Sequence, residues 1–500
     1  MTKKYRLLML TTLIISGCSM TYELIISAVS SYLLGNSTLQ YSLTIGVYMF
    51  ALGLGSYLSR FFKHSLYNTL IKIELGIGII GGTSSLILFL ANLYIESYGV
   101  VMFILIFIIG GFAGAEIPIL TRLIEEEQQD LKLTLSALFS FDYIGGLVGA
   151  IVFPLLLLPY LGYIGASFLC GFLNVGCGLL ILIKYKHKIK ASGIYRRLAV
   201  AVAVLMLFGI VFANNLSRVI EGGLYRDQVI YSKQTKYQKI VITKHKDDTR
   251  LYIDGNCQFS AADEYRYHEA LVHVPMSKLE SPERVLILGG GDGLALREVL
   301  KYDVKAVDLV DLDEEIVNIS KTNPHLRAIN QDSLRSDRLT VYNEDAYKYL
   351  ETNKKQYDLI LVDLPDPNSE VLNKLYSNVF YRLCKHSMTE DGLMVVQSTS
   401  PYYAKKAFWS INKTIQSEGF TVLPYHLEVP AFGDWGFNLA CKHTPPAGFD
   451  FKVETRYLSE ENVQALFMFG KDEKNDDVEV NRLTKPVLMQ YYNEAVREWE

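Results

Sequence analysis

The sequence predicts a multi-pass α-helical membrane domain followed by an α/β Rossmann-like domain of methyltransferase type, with a small β-hairpin subdomain at that domain's start. Three observations predict it. Long apolar runs are confined to residues 1–217. Charge divides at the same place: residues 1–217 hold 14 Lys+Arg and 9 Asp+Glu, a net of +5, and the rest hold 35 and 44, a net of −9. Beyond Ser217, short β-rich runs alternate with amphipathic helices, as in a doubly wound sheet. The whole chain is 500 residues, 50% hydrophobic and 20% charged, with a mean hydropathy of +0.17. That composition excludes a disordered chain, a collagen-like repeat and a disulfide-dense scaffold. The expected domains are 1–217 (polytopic, about seven spans), 218–261 (small β subdomain), 262–445 (Rossmann-like) and 446–500 (helical extension).

A membrane span needs about 20 mostly apolar residues. Candidates run over 7–33, 40–59, 71–94, 98–120, 134–160, 162–183 and 198–215. Lys and Arg orient them. With the N-terminus inside, all 14 basic residues fall in inner segments: Lys3, Lys4, Arg6; Arg60, Lys63, Lys72; Arg122, Lys132; and Lys184, Lys186, Lys188, Lys190, Arg196, Arg197. A multi-pass protein of the cell membrane follows. The seventh candidate decides topology. Leu198–Ala213 supplies only about 24 Å of uninterrupted apolar helix against a core of about 30 Å. If it spans, the soluble half lies on the outer face; if it re-enters, that half stays in the cytosol. Ile15-Ser16-Gly17-Cys18 has the look of a lipoprotein processing site, but the apolar run continues to Leu34 as an uncleaved span would.

Glu23, Glu74, Glu116 and Asp142 interrupt these runs, where ionisable groups mark a polar path or an internal pairing. Glycines beside them allow close helix contact. The six cysteines form no CxxC pair and no Cys/His cluster at metal spacing, so no metal is expected. The acidic soluble half points to no nucleic-acid partner.

In the soluble half, residues 223–257 read as hairpins, with Asp254-Gly255 as a turn. A helix follows at about 262–277. Strands are predicted at Val285–Leu288 and Ala306–Val310, then near Leu339–Tyr342, Leu359–Val362 and Met394–Gln397. Ligands in such sheets bind beyond the carboxyl ends of the strands. The sharpest motif is Leu288-Gly-Gly-Gly-Asp-Gly-Leu-Ala-Leu-Arg-Glu298, directly after a strand and opening a helix. Gly289 and Gly291 let the backbone approach a ligand that a Cβ would block. Asp311 ends the next strand, where a carboxylate can hold two ribose hydroxyls. Asp345-Ala346 follows the strand after that, at the expected position for adenine contacts.

Asp292 departs from a phosphate-binding loop. Bare amides at a helix start attract anions, and a carboxylate among them repels phosphate and would repel the carboxylate of S-adenosylmethionine. It suits a cationic ligand end. Asp292 can also cap the helix, and the two roles are compatible. A second acidic cluster, Asp363-Leu-Pro-Asp366-Pro367, follows the strand Asp358–Val362. Three carboxylates converging without a histidine pattern suit a polycation; Mg²⁺ binding and a solvated acidic loop are the rival uses.

Gly289-Gly-Gly-Asp-Gly with Arg297-Glu298, Asp363-x-x-Asp366-Pro367 and Tyr265-Arg-Tyr267-His268-Glu269 together resemble the spermidine synthases, or polyamine aminopropyltransferases, over about residues 225–442. The apolar N-terminal half is similar to the membrane-fused branch of that family. The resemblance implies that Gln238 contacts the thioadenosine portion of the donor, that Asp311 holds its ribose and that Asp345 and Ala346 hold its adenine. It implies that His268 and Asp292 bind amines, that Asp363 accepts a proton with Tyr267 beside it, and that Asp366 holds an amine of the acceptor. Four departures bear on this: Ala261 where the family usually has Glu, Ala346 for Gly, Asp311 for the commoner Glu, and Asn368-Ser-Glu370 for the usual Gly-Pro. Phe432 stands near a usual Tyr of the substrate tunnel.

The implied reaction moves the aminopropyl group of decarboxylated S-adenosylmethionine, a co-substrate, to putrescine, with no bound cofactor. Spermidine and methylthioadenosine are the products. Two alternatives stay open: an S-adenosylmethionine-dependent methyltransferase, and a polyamine-binding membrane transporter or sensor with an inactive soluble domain. The expected partners are a small polyamine substrate and a lipid bilayer, with a homodimer suggested by the resemblance alone.

Overall fold

The computed structural model describes residues 3–34, 37–95, 97–128, 131–225, 227–444 and 447–499. The chain divides into two compact units, Met1–Val229 and Ile230–Glu500.

The first unit is helical throughout. Among the described residues, five helices or helical runs are long and apolar enough to cross a membrane: Arg6–Leu34, Ser37–Phe61, Tyr98–Glu125, Thr134–Lys184 and Ser192–Leu224. A sixth counts if the pair Leu66–Gly82 and Ser84–Tyr94, bent by 44°, is taken together. The seven apolar segments expected all fall on helix here: 71–94 lies on the bent pair, and the run Thr134–Lys184, about 76 Å of helix, has the length for two of them. Segments 134–160 and 162–183 belong to one 51-residue run, broken by a π-helical turn at Phe153–Leu157 and by Gly162 at φ +64°. Glycine turns the chain there without lowering its hydropathy. The last helix, Ser192–Leu224, has 33 residues, about 50 Å at 1.5 Å per residue. It outruns both its 16-residue apolar centre and the expected domain end at 217.

Glycines set the packing distance. A Cβ on Gly114 would lie 2.0 Å from Leu52 O, and one on Gly149 would lie 2.3 Å from Gly17 O, so these helix pairs meet backbone to backbone. Glu23, Glu74 and Glu116 are buried, and neither Glu74 nor Glu116 reaches the surface through a helix end. Asn174 Nδ2 donates to Glu74 Oε2 at 3.4 Å. Large apolar side chains face outward along the unit, among them Met49, Phe50, Leu147, Leu155 and Val211, each at least 61% exposed.

The second unit opens with a four-stranded antiparallel sheet, β1 (Gln228–Gln234), β2 (Lys239–His245), β3 (Asp248–Ile253) and β4 (Asn256–Ser260), in sequential order. The β3–β4 turn is Asp254-Gly255, with φ of +48° and +83°, the pair of positive angles that a tight two-residue hairpin requires. A seven-stranded sheet follows: β5 (Arg284–Gly289), β6 (Ala306–Val310), β7 (Leu339–Tyr342), β8 (Tyr357–Asp363), β9 (Met388–Gln397), β10 (Thr421–Val429) and β11 (Gly433–Cys441). Its order is β10-β11-β9-β8-β5-β6-β7. Strands β9, β8, β5, β6 and β7 run parallel, and β11 is antiparallel to both its neighbours. Val285, Leu286, Ile287, Leu288, Leu359, Ile360, Leu361 and Val362 are all fully buried, as expected of strands covered on both faces.

The chain winds from β5 outward to β7, then returns to the other side of β5 as β8. The order therefore switches between β5 and β8, where Gly289 pairs with Asp363. Such a switch leaves a crevice at the strands' carboxyl ends.

The predicted helical extension 446–500 is mostly irregular. Among the described residues it holds one short 3-10 turn, Val463–Phe467, and one helix, Leu488–Trp499. Its run Lys471–Asp477 is polar without apolar periodicity, so nothing there builds a helix face.

Candidate active site

At the switch point the glycine loop is shaped by its neighbour strand. A Cβ on Gly289, at φ +87°, would lie 2.0 Å from Asp363 O; one on Gly290, at φ +65°, would lie 3.1 Å from Asp363 Oδ2. Only glycine lets β5 turn this tightly against the end of β8. Gly291 N–H donates to Asp311 Oδ2 at 3.0 Å, and Asp313 N–H donates to Asp311 Oδ1 at 3.0 Å. The loop and the end of β6 are thus tied together. Burial pushes the Asp311 carboxyl up to about 6 against these two hydrogen bonds.

Asp292 Oδ1 accepts Leu294 N–H at 2.8 Å, the first amide of the helix Leu294–Val299, but the N-cap position itself is taken by Gly293. It also belongs to a charged group. Burial raises its carboxyl to about 6; His268 opposes the rise and Asp363 adds to it. Asp363 is likewise raised, by burial first, with His268 and a hydrogen bond from Tyr267 pulling it back. Tyr267 Oη donates to Asp363 Oδ1 at 2.6 Å, and burial, then the Asp363 charge, holds that phenol protonated.

His268 is fixed from behind. Its Nδ1 faces Glu264 Oε2 at 2.8 Å and Glu264 O at 2.9 Å, two acceptors, so Nδ1 carries a proton. Burial opposes its positive charge, but Glu264, Asp292 and Asp363 outweigh it and raise its pKa. Glu264 in turn takes a two-pronged bond from Arg297, at 2.8 and 3.0 Å. Arg297 Nε donates to Glu298 Oε1 at 2.8 Å, and His273 Nε2 meets Glu298 Oε2 at 2.7 Å. Glu269 faces away and accepts N–H groups of Arg456, Tyr457 and Leu458 at 2.5–3.0 Å.

Asp366 lies three residues past β8. Tyr492 Oη donates to its Oδ2 at 2.9 Å, and Gln397 Nε2 reaches its Oδ1 at 3.4 Å. Burial raises its carboxyl to about 6 despite these donors. Asp363 and Asp366 both act on Tyr376, whose hydroxyl donates to Pro365 O at 3.0 Å and braces the turn between them.

The structure therefore gathers Asp292, His268, Asp363, Tyr267 and Asp366 at one sheet end, with Asp311 alongside. Asp345 and Ala346 sit at the end of β7. Asp345 Oδ1 accepts Tyr347 N–H at 2.8 Å as a helix cap, and its Oδ2 pairs with Lys374 at 2.5 Å, which holds the carboxylate charged against burial. Ala346 is buried as the first residue of the helix Ala346–Thr352. Gln238 lies in the β1–β2 turn. Thr235 of that turn donates to Asp313 Oδ2 at 2.7 Å. Turn residues Lys236 and Tyr237 line a cleft of about 250 Å³ with Asp313 and Asn343. Phe432 meets Tyr267 edge to face, 6.3 Å between ring centres.

A larger cavity of about 470 Å³, bounded by Tyr402, Tyr403, His426, Asp434 and Glu473, contains none of the predicted site residues. His426, Asp434 and Glu473 are the one group among the described residues whose atoms could surround a metal. Both His426 ring nitrogens are engaged, Nδ1 with Asp434 Oδ1 at 2.6 Å and Nε2 with Met468 O at 2.8 Å, so no lone pair faces an ion.

Sequence reasoning missed the partners of these groups. Glu264 carried no motif of its own, Arg297-Glu298 entered only as part of the resemblance, and Tyr492 lies 126 residues from Asp366 with no local signal.

Several known proteins are similar to this chain. The model of the spermine/spermidine synthase domain matches residues 264–452. A polyamine aminopropyltransferase of Leptospira interrogans is 40% identical over 98% of this chain and 98% of its own. Another from Oceanobacillus iheyensis is 40% identical over 97% and 96%. A crystal structure of spermidine synthase with the transition-state analogue AdoDATO is 30% identical, covering 48% of this chain and 85% of its own, with a TM-score of 0.46. These full-length relatives, named as polyamine aminopropyltransferases, are transferases. The chain belongs to the polyamine aminopropyltransferase family.

Proposed function

We propose that this enzyme transfers the aminopropyl group of decarboxylated S-adenosylmethionine to putrescine, giving spermidine and methylthioadenosine. The observation that carries it is the convergence of Asp292, Asp363 and Asp366 on the β5–β8 switch point, around Tyr267 and His268. A methyltransferase donor would bring its own carboxylate against Asp292; a decarboxylated donor brings an ammonium instead.

The donor is a sulfonium whose neighbouring methylene is electrophilic. An acceptor amine with a Lys-like pKa of about 10 arrives protonated. Asp363, at the carboxyl end of β8, takes that proton, and the nitrogen lone pair attacks the methylene as the carbon–sulfur bond breaks. Methylthioadenosine departs as a neutral thioether. Tyr267 holds Oδ1 of Asp363, which fixes the carboxylate's orientation and leaves Oδ2 to the amine. Asp366 binds the distal ammonium of the acceptor, and Asp292 with His268 orders the amine end of the donor, so that nitrogen, carbon and sulfur line up. Asp311 binds the ribose hydroxyls, Asp345 and Ala346 border the adenine, and Gln238 closes over the thioadenosine portion.

The helical unit, in this reading, spans the cell membrane. Its apolar side chains face outward along helices of sufficient length, and every Lys and Arg within 1–217 falls in segments on one side. Asp363→Asn tests the catalytic reading: methylthioadenosine release should stop while donor binding persists. Full activity in that variant would refute it.

A further inference from the structure

Helix Leu488–Trp499 lies outside the stretch matched by the family domain, 264–452, yet it reaches the acidic crevice. Its attachment is specific. Asn373 Oδ1 accepts Met489 N–H at 3.1 Å, and Asn481 Oδ1 accepts Val487 and Leu488 N–H at 3.2 and 3.4 Å, satisfying the helix's first amides. Asn481 Nδ2 donates to Asn373 O and Tyr376 O at 3.1 and 3.0 Å. Leu488 is fully buried. Both asparagines thus bolt the helix to the segment that follows Asp366.

On this mounting Tyr492 Oη donates to Asp366 Oδ2 at 2.9 Å. Gln397 is longer, at 3.4 Å. Thr399 lies beside Asp366, in a left-handed backbone at φ +57° that a β-branched residue adopts only under constraint. We propose that the C-terminal helix is a positioning element of the acceptor site, in which Tyr492 holds the Asp366 carboxylate aimed and charged for the distal ammonium of the amine. This rests on the assignment of Asp366 to that ammonium.

The titratable groups facing Asp366 are Tyr492 on the C-terminal helix, Tyr376 before helix Asn378–His386 and Tyr267 on helix Glu264–Met276; Gln397 contributes a neutral donor. None of these supplies a positive charge. Hydrogen bonds are what keep this carboxylate ionised near neutrality, at about 6. Losing one donor to a charged acceptor moves it to about 7 or 8. At pH 7 its ionised fraction then falls from about nine-tenths to between about a half and a tenth.

The test is steady-state kinetics of the full-length enzyme with putrescine varied at saturating donor, at pH 7.0 and 8.5. Tyr492→Phe keeps the ring that packs beside Tyr491 and Ala495. It should raise the putrescine KM about two- to tenfold at pH 7.0, with a much smaller rise at 8.5. The donor KM and kcat should stay within about twofold. Asp366→Asn, run alongside, should raise the putrescine KM at both pH values. An unchanged putrescine KM in Tyr492→Phe overturns the proposal whatever Asp366→Asn does. Equal losses at both pH values, shared by the donor KM, also overturn it, since that is how a merely structural helix behaves. A silent Asp366→Asn would separately refute the acceptor assignment.

Discussion

Arg297→Met removes one guanidinium that serves two buried carboxylates. Glu264 and Glu298 are 5% and 2% exposed. Arg297 holds the first with two bonds and the second with one, and also donates to Ile329 O at 2.8 Å. Methionine fills much of the same volume but leaves Glu264 facing only His268. Breaking a buried pair from one side costs about 3–5 kcal/mol, because the remaining charge stays desolvated. At about 2–4 °C per kcal/mol for a domain of this order, Tm should fall by about 6–20 °C. Tryptophan fluorescence reports the right unit, since Trp409, Trp435 and Trp499 all lie within Ile230–Glu500. The pH dependence gives a second reading. Burial favours protonation of both carboxyls, but their hydrogen-bonded cations hold both below the ordinary range. Their stabilisation is therefore complete above the unfolded value of about 4.3 and is lost as pH falls through the lower folded values. The wild type should lose stability steeply below about pH 4, and Arg297→Met less steeply. A Tm within about 2 °C of wild type, with the same acid profile, would refute the view that this network carries stability and orients His268.

Asp292→Ala should raise the donor KM at least about tenfold, with the tryptophan-monitored transition lowered only by the lost Leu294 N–H bond, about 1 kcal/mol; unchanged donor affinity would leave Asp292 a partner of that amide alone. Because burial pushes the Asp292 and Asp366 carboxyls up to about 6 and both must be charged to hold ammonium groups, kcat/KM for putrescine should fall as pH drops below 6. A profile flat to pH 5 would contradict the acidic-pocket reading. A topology reporter fused after Glu500 should report the outer face if Ser192–Leu224 spans, and activity of a cytosol-dependent reporter would reverse that orientation.

Much of the soluble fold was legible because its signals are local. Strand Ala306–Val310 and the Asp254-Gly255 turn stand where β-rich runs and a turn pair place them, and Asp363 lies at the strand's carboxyl end because the strand itself was visible. The bracing of the site was not legible. Tyr492 on Asp366, Arg297 on Glu264 and Gln397 behind the Pro365 turn join residues far apart in sequence, and no periodicity records such a contact. In the helical unit hydropathy located the apolar segments, and the boundary it drew between 134–160 and 162–183 falls at the break at Gly162. Hydropathy understated the last helix, whose ends at Ser192 and Leu224 are polar or charged nearby yet remain helical. Residues 446–500 were misjudged for the opposite reason: their order comes from side chains such as Asn481 docking on the sheet domain rather than from a helix face of their own.

The central claim is that one crevice brings a sulfonium donor and a diamine together. Incubating the purified full-length enzyme with decarboxylated S-adenosylmethionine and isotopically labelled putrescine, followed by mass spectrometry, tests it most directly. Labelled spermidine and methylthioadenosine should form in equal amounts, with no product when S-adenosylmethionine replaces the donor. S-adenosylhomocysteine from intact S-adenosylmethionine, or putrescine retained unaltered with the donor, would contradict it.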